Sequence, residues 1–147
     1  MYILPGGIAE IFTSQLGKHT IVIQRRRGLM KLAIETGAHL VPCYVFGGTD
    51  FFHNLVTDDG LLAYLSRKMR VSFTLFWGRF GLPIPYSPRV SQVLGSPIPP
   101  PVWDVSKGPI PEALIDELHA TFLKQMCELF DTYKSAAGYP DAVLDVR

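Results

Sequence analysis

Cysteine is scarce in this chain of 147 residues: Cys43 lies in an apolar run, Cys127 lies on a helical pattern, and no Cys-x-x-Cys spacing occurs. That excludes a cysteine-rich zinc site, and two buried free thiols in a reducing compartment are expected rather than a disulfide. Long apolar runs are also missing. Crossing a bilayer takes ~18 to 20 apolar residues. Arg79 interrupts the best candidate, 71–86, and the N-terminus has no signal-peptide pattern. The chain is therefore expected not to span a membrane by itself. Charge of one sign is lacking too, with 14 Lys/Arg against 13 Asp/Glu and a net charge of +1. There is no internal repeat and no low-complexity segment. A composition of 48% hydrophobic and 18% charged residues excludes disorder and suits one globular domain, 1–147, which needs no staple at this length.

The near-neutral total hides an asymmetry. Residues 1–95 carry 10 Lys/Arg and 5 Asp/Glu (+5), whereas 96–147 carry 4 and 8 (−4), so the first part is the one suited to meet an anion. Along that part, residues 1–4 read as a strand entering a tight turn at Pro5-Gly6-Gly7. Residues 19–24 (HTIVIQ) read as a β-branched strand, 29–36 as a helix closed by Gly37, and 39–46 (HLVPCYVF) as a strand buried on both faces. Strand, helix and strand in so short a span predict a βαβ unit.

Further on, 61–70 read as a short amphipathic helix and 71–77 as an alternating strand. The aromatics Phe73, Phe76, Trp77 and Phe80 read as core, with a lipid-facing wall as the alternative. Nine of the 12 prolines fall in 83–111, which leaves room for one strand, 90–94. The clearest element is a helix over 112–134, with Leu114, Leu118, Phe122, Met126, Leu129, Phe130 and Tyr133 on one stripe. The fold class is α/β: a mixed sheet, flanking helices and a long C-terminal amphipathic helix.

Two segments carry residues suited to chemistry. Gly6-Gly7-Ile8-Ala9-Glu10 sets a glycine turn three residues before a carboxylate; such a turn exposes N–H groups to an anion or oxyanion, and Glu10 suits orienting a hydroxyl or a histidine. The alternative is a plain turn with a helix-entry glutamate. Arg25-Arg26-Arg27-Gly28, directly before a helix, suits a phosphate or pyrophosphate clamp, the alternative being a solvated basic turn. His19, His39, His53 and His119 are dispersed, without an i, i+4 partner or an adjacent Ser or Cys, and read as structural. No metal site and no nucleic-acid partner are expected.

In their order these motifs resemble the C-terminal part of the type-2 diacylglycerol acyltransferase family, which includes monoacylglycerol and wax-ester acyltransferases. Gly6-Gly7-Ile8-Ala9-Glu10 is similar to its G-G-x-x-E block, and Arg26-Arg27-Gly28-Leu29 with Leu32-Ala33-Ile34-Glu35 to its R-x-G-F-x-x-x-A block. Val41-Pro42 with Phe46-Gly47 resembles V-P-x-x-x-F-G-E, Trp77-Gly78-Arg79 resembles F-W-G-R, and Gly95-Ser96-Pro97-Ile98 resembles G-x-P-I. The helix from Leu118-His119 to Tyr133-Lys134 is similar to the family's last helix. Gly48 and Leu29 depart from the family's Glu and Phe.

The resemblance implies an acyl-CoA:diacylglycerol O-acyltransferase of triacylglycerol synthesis, at the endoplasmic reticulum membrane and lipid droplet. Its partners would be acyl-CoA as co-substrate, diacylglycerol or a related acceptor, a membrane surface and a possible second copy, with no cofactor. It further implies that Glu10 is the orienting carboxylate and that Gly6, Gly7, Arg25, Arg26, Arg27 and Gly28 bind substrate. The family's H-P-H-G block, with its proposed catalytic histidine, and its membrane hairpin would lie upstream of residue 1. On that expectation the chain is a C-terminal piece of the acyltransferase domain and transfers no acyl group alone. The competing reading is a non-catalytic lipid- or CoA-binding remnant.

Overall fold

The computed structural model describes residues 3–6, 10, 15–55 and 75–147. The helix expected at 61–70, the first part of the strand expected at 71–77, and Gly7 lie outside them. The expected α/β class forms, with its strands distributed over three two-stranded sheets. In chain order the elements are β1 (His19–Ile21), α1 (Gly28–Thr36), β2 (Cys43–Phe46), β3 (His53–Leu55), β4 (Leu75–Trp77), β5 (Ser91–Leu94), α2 (Glu112–Tyr133) and β6 (Leu144–Val146).

Both helices follow from their apolar periodicity. Met30, Ala33 and Ile34 of α1 are buried, and Gly37 closes the helix in the left-handed conformation with its N–H on the Ala33 carbonyl. Pro111 precedes α2, which buries Ile115, Leu118, Phe122, Met126, Leu129 and Phe130. The two helices share an aliphatic core with Ile23, Ile98 and Ile110. Beside it Phe46, Phe130 and Tyr139 stack, with Tyr44 edge-on to Phe46 and Phe130. Tyr133, expected on the buried stripe, is exposed at the end of α2.

The strand partners differ from those a βαβ unit requires. β1 pairs in parallel with β6, His19 opposite Leu144, whereas β2 pairs antiparallel with β5, Cys43 opposite Leu94. The two strands flanking α1 thus belong to different sheets and no βαβ unit forms. The run 39–46 is not buried on both faces either. Tyr44 and Phe46 pack against Phe130 of α2, whereas Val41 and Val45 are left exposed. Residues 3 and 4 are not strand, and Ile3 and Leu4 are exposed. β1 ends at Ile21 rather than 24, because the chain turns through the Arg26 N–H to Ile23 carbonyl bond of 2.9 Å. The cysteines are free as expected but only half-buried.

The aromatics expected as core divide. Phe52 packs edge-on to Phe76, and His53 stacks on Trp77. Phe76 is nevertheless exposed, and Phe80 stands 92% exposed on a turn. Among the described residues, no helix is long and apolar enough to cross a membrane.

Candidate functional site

The glycine turn and the arginine turn, expected from separate stretches of sequence, meet in space. Gly6 is buried with the Glu10 side chain directly over it, so that a Cβ at position 6 would collide with the Glu10 carboxyl. Only glycine permits that approach. Glu10 Oε1 accepts the Val22 N–H at 3.2 Å, just past β1. Arg26 Nη2 donates to the Gly6 carbonyl at 3.3 Å. A carboxylate, the peptide of a glycine turn and a guanidinium are thereby held by side chain-to-backbone hydrogen bonds rather than by ion pairs between flexible side chains.

The three arginines have separate surroundings. Arg26 faces the glycine turn. Arg27 reaches across to the start of α2, with Nη2 3.0 Å from Asp116 and Nη1 3.5 Å from Glu112, in pairs open to solvent. Arg25 is exposed. Gly28 opens α1, and nothing lies within 4 Å of where its Cβ would be. The first turn of α1 holds no acid, and among the described residues no side chain caps it. Its N-terminal N–H groups remain suited to an anion.

Sequence reasoning missed a polar cluster behind this site. His19 Nδ1 and the Tyr44 hydroxyl lie 2.9 Å apart, and the Tyr139 hydroxyl donates to Asp50 Oδ2 at 2.6 Å. Asp50 Oδ1 also accepts the Gly17 N–H at 3.3 Å. Burial, then the negative charge of Glu10 and the further charges of Tyr139 and Asp50, push the Tyr44 phenol far up, so it stays protonated. Burial and the Asp50 carboxylate push Tyr139 up to about 12. His19 is 5% exposed, and burial lowers its pKa against the opposing pull of Asp50. Its Nε2 is buried without a hydrogen-bond partner among the described residues, and the imidazole ring packs edge-on with Tyr139 and Phe130. The available signal was polar residues set among apolar ones, His19 at the start of a strand and Tyr44 within one.

The other histidines sit apart. His119 is buried and contacts the Ile23 carbonyl at 3.1 Å, His53 lies against Trp77 and Tyr86, and His39 is exposed. Among the described residues, no group of His, Cys, Asp and Glu is arranged to hold a metal ion.

A family model described as "Diacylglycerol acyltransferase" matches residues 1–147. The chain belongs to the diacylglycerol acyltransferase family. It is 32% identical to mouse diacylglycerol O-acyltransferase 2 over 99% of its own length and 39% of the relative's. It is also 33% identical to bovine 2-acylglycerol O-acyltransferase 1, covering 95% of the chain and 43% of the relative. With human 2-acylglycerol O-acyltransferase 3 the identity is 31%, over 94% and 42%. The chain thus spans about two fifths of the length of these relatives. No solved structure matches it. Of the blocks matched to this family, the glycine block and the arginine block meet at Gly6, whose carbonyl accepts from Arg26 while Glu10 lies over its Cα.

Proposed function

We propose that this chain serves acyl transfer from acyl-CoA to a glycerolipid hydroxyl, the step that makes triacylglycerol when the acceptor is diacylglycerol. The observation that carries the reading is Glu10, fixed by the Val22 N–H directly over Gly6 and beside Arg26, in a chain of this family. In the reaction the acceptor oxygen attacks the thioester carbonyl carbon while a base takes the hydroxyl proton. The tetrahedral oxyanion then collapses, the C–S bond breaks, and CoA leaves as a thiol once a proton is returned. Glu10 orients the base or the hydroxyl. N–H groups of the glycine turn stabilise the oxyanion, which in other acyl-transfer sites is worth ~10²-fold or more per donor. Arg25, with the open N-terminus of α1 at Gly28, suits the CoA phosphates, and Arg26 and Arg27 add positive potential beside it. No cofactor is needed for this chemistry. The acceptor is insoluble in water, which puts the work at a lipid surface, the endoplasmic reticulum membrane or a lipid droplet.

Residues 1–147 contain no H-P-H-G sequence, and the base is assigned to such a block on another segment. The test is incubation with labelled acyl-CoA and diacylglycerol in mixed micelles, with the chain alone and co-expressed with an H-P-H-G-bearing segment of a complete relative. Product from the pair, with a loss of about 10²-fold on Glu10→Gln, is expected. An inactive pair that still binds acyl-CoA would replace this reading with a lipid- or CoA-binding role. Product from the chain alone would return the base to one of its four histidines.

A further inference from the structure

The turn that carries Phe80 is built more firmly than its exposure would suggest. The Gly78 N–H donates to the Leu82 carbonyl at 2.7 Å and the Arg79 N–H to the Ile84 carbonyl at 2.8 Å. The Tyr86 hydroxyl adds a bond to the Gly78 carbonyl at 3.1 Å, and Arg79 Nη2 donates to Ser87 Oγ at 3.1 Å. The Leu82 N–H to Arg79 carbonyl bond of 3.1 Å closes a turn whose central residues, Phe80 and Gly81, both have positive φ, 59° and 72°. Two such residues in succession define the turn type that selects Asn-Gly or Gly-Gly. Phenylalanine is a costly choice there, since a bulky side chain in the left-handed region is strained. Phe80 is the one non-glycine residue with positive φ among those described, and at 92% exposure it gains almost nothing from this fold in return. A strained, firmly held and fully presented apolar ring points to something outside the chain.

Charge decides what that is. Phe76, Leu82 and Ile84 are exposed on the same segment, so the ring is not alone. Among the described residues from 75 to 103 the charged side chains are Arg79 and Arg89, with not one Asp or Glu. A partner protein would meet this surface with some mixture of signs, whereas aromatic and aliphatic side chains with cations alone match the boundary of an anionic lipid layer, apolar below and phosphate above. We infer that the Arg79–Leu82 turn is a lipid-surface docking tip, with Phe80 inserting among acyl chains and Arg79 at the level of the headgroup phosphates. The inference deepens the proposed function and rests on its water-insoluble acceptor, which a chain must approach at a lipid surface.

The test needs neither substrate nor turnover, so it separates failure of docking from failure of acyl transfer. The chain is synthesised in the presence of phosphatidylcholine vesicles, with or without phosphatidylserine, and vesicle-bound protein is separated by flotation. Phe80→Asn supplies the Asn-Gly pair that the turn prefers. It should raise Tm by roughly 2–4 °C through strain relief, yet lower vesicle partition by about tenfold or more. Phe80→Trp should restore partition. Arg79→Gln should cost roughly fivefold on anionic vesicles at low salt and little on neutral ones. In Trp103→Phe, Trp77 is the single remaining tryptophan and should be quenched by brominated phosphatidylcholine. Wild-type partition of Phe80→Asn, or an unquenched Trp77, overturns the inference. A fall from oligomer to monomer in Phe80→Asn without change in partition also overturns it, in favour of a second copy of the chain.

Discussion

Two basic turns of this molecule present the same kind of side chain to different ends. In the turn before α1, Arg27 spans to Asp116 and Glu112, and Arg26 bends onto the Gly6 carbonyl. In the turn after β4, the Arg79 side chain has Ser87 as its one hydrogen-bond partner among the described residues and stands beside an exposed ring. The first turn sits where the fold brings up the acidic C-terminal helix; the second sits in a stretch without a carboxylate. The lesson is that an arginine run in sequence does not state its partner. What the fold places opposite it decides whether the charge crosslinks helices, braces a glycine turn or faces outward.

The largest effect expected at the first turn comes from the residue it braces. In a chain paired with an H-P-H-G segment, Gly6→Ala should lower turnover by about 10²-fold, as should Glu10→Gln. A methyl at position 6 displaces the Glu10 carboxyl from the Val22 N–H, and the displaced atoms belong to the movable end of a side chain, so the fold should survive. Turnover kinetics beside a thermal melt read both. Equal turnover in Gly6→Ala and wild type would remove Glu10 from the site.

The division among the arginines is sharpened by taking them singly. Arg25→Gln should raise the KM for acyl-CoA several-fold and weaken its salt dependence, as expected for a solvent-facing phosphate contact. Arg27→Gln should cost at most ~1 kcal/mol of stability, because its ion pairs with Glu112 and Asp116 are open to water. Its effect on KM should be the smaller of the two. The reverse order, read by acyl-CoA titration and denaturant unfolding of both variants, would break the comparison.

A smaller effect belongs to His19. Its folded pKa is lowered mainly by burial, so the unfolded chain binds the proton more readily. The stability tied to its neutral form is complete above about pH 6.5 and is lost as the pH falls below it. Tm should therefore drop between pH 7 and pH 5 by more in wild type than in His19→Asn. Parallel pH profiles would show that His19 has no part in that slope.

Legibility in the sequence followed the range of the interactions involved. α1, its Gly37 cap, α2 and β5 were readable because periodicity, caps and proline act within a few residues. The partners of β1 and β2 were not. An apolar run states that one face will be covered but not by which strand, so the chain between His19 and Leu144 had to close before β1 acquired a neighbour. β3 and β6 were not read, because neither His53–Leu55 nor Leu144–Val146 sits in a longer β-branched or aromatic run of the kind that marked 19–24 and 71–77. At the site, residue types and turn chemistry were legible as two separate blocks. Their contact through Arg26 and Gly6, and the placement of Glu10 under Val22, depend on a reversal of the chain that spacing alone does not encode. The His19, Tyr44 and Asp50 cluster was illegible for the same reason.

The pairing of β6 also makes the site answer to events far along the chain. The Arg147 carbonyl receives the N–H groups of Ile23 and Gln24, and its own N–H binds the Ile21 carbonyl, so the backbone on both sides of Val22 is clamped by residues 144–147. Val22 is the residue whose N–H holds Glu10. A proteolytic nick in the turn around Gly138, or a bulky fusion after Val146, touches no functional side chain and yet would slacken the strand on which the carboxylate hangs. Such a cut would act like a released tether, loosening the orientation of Glu10 while leaving both helices in place.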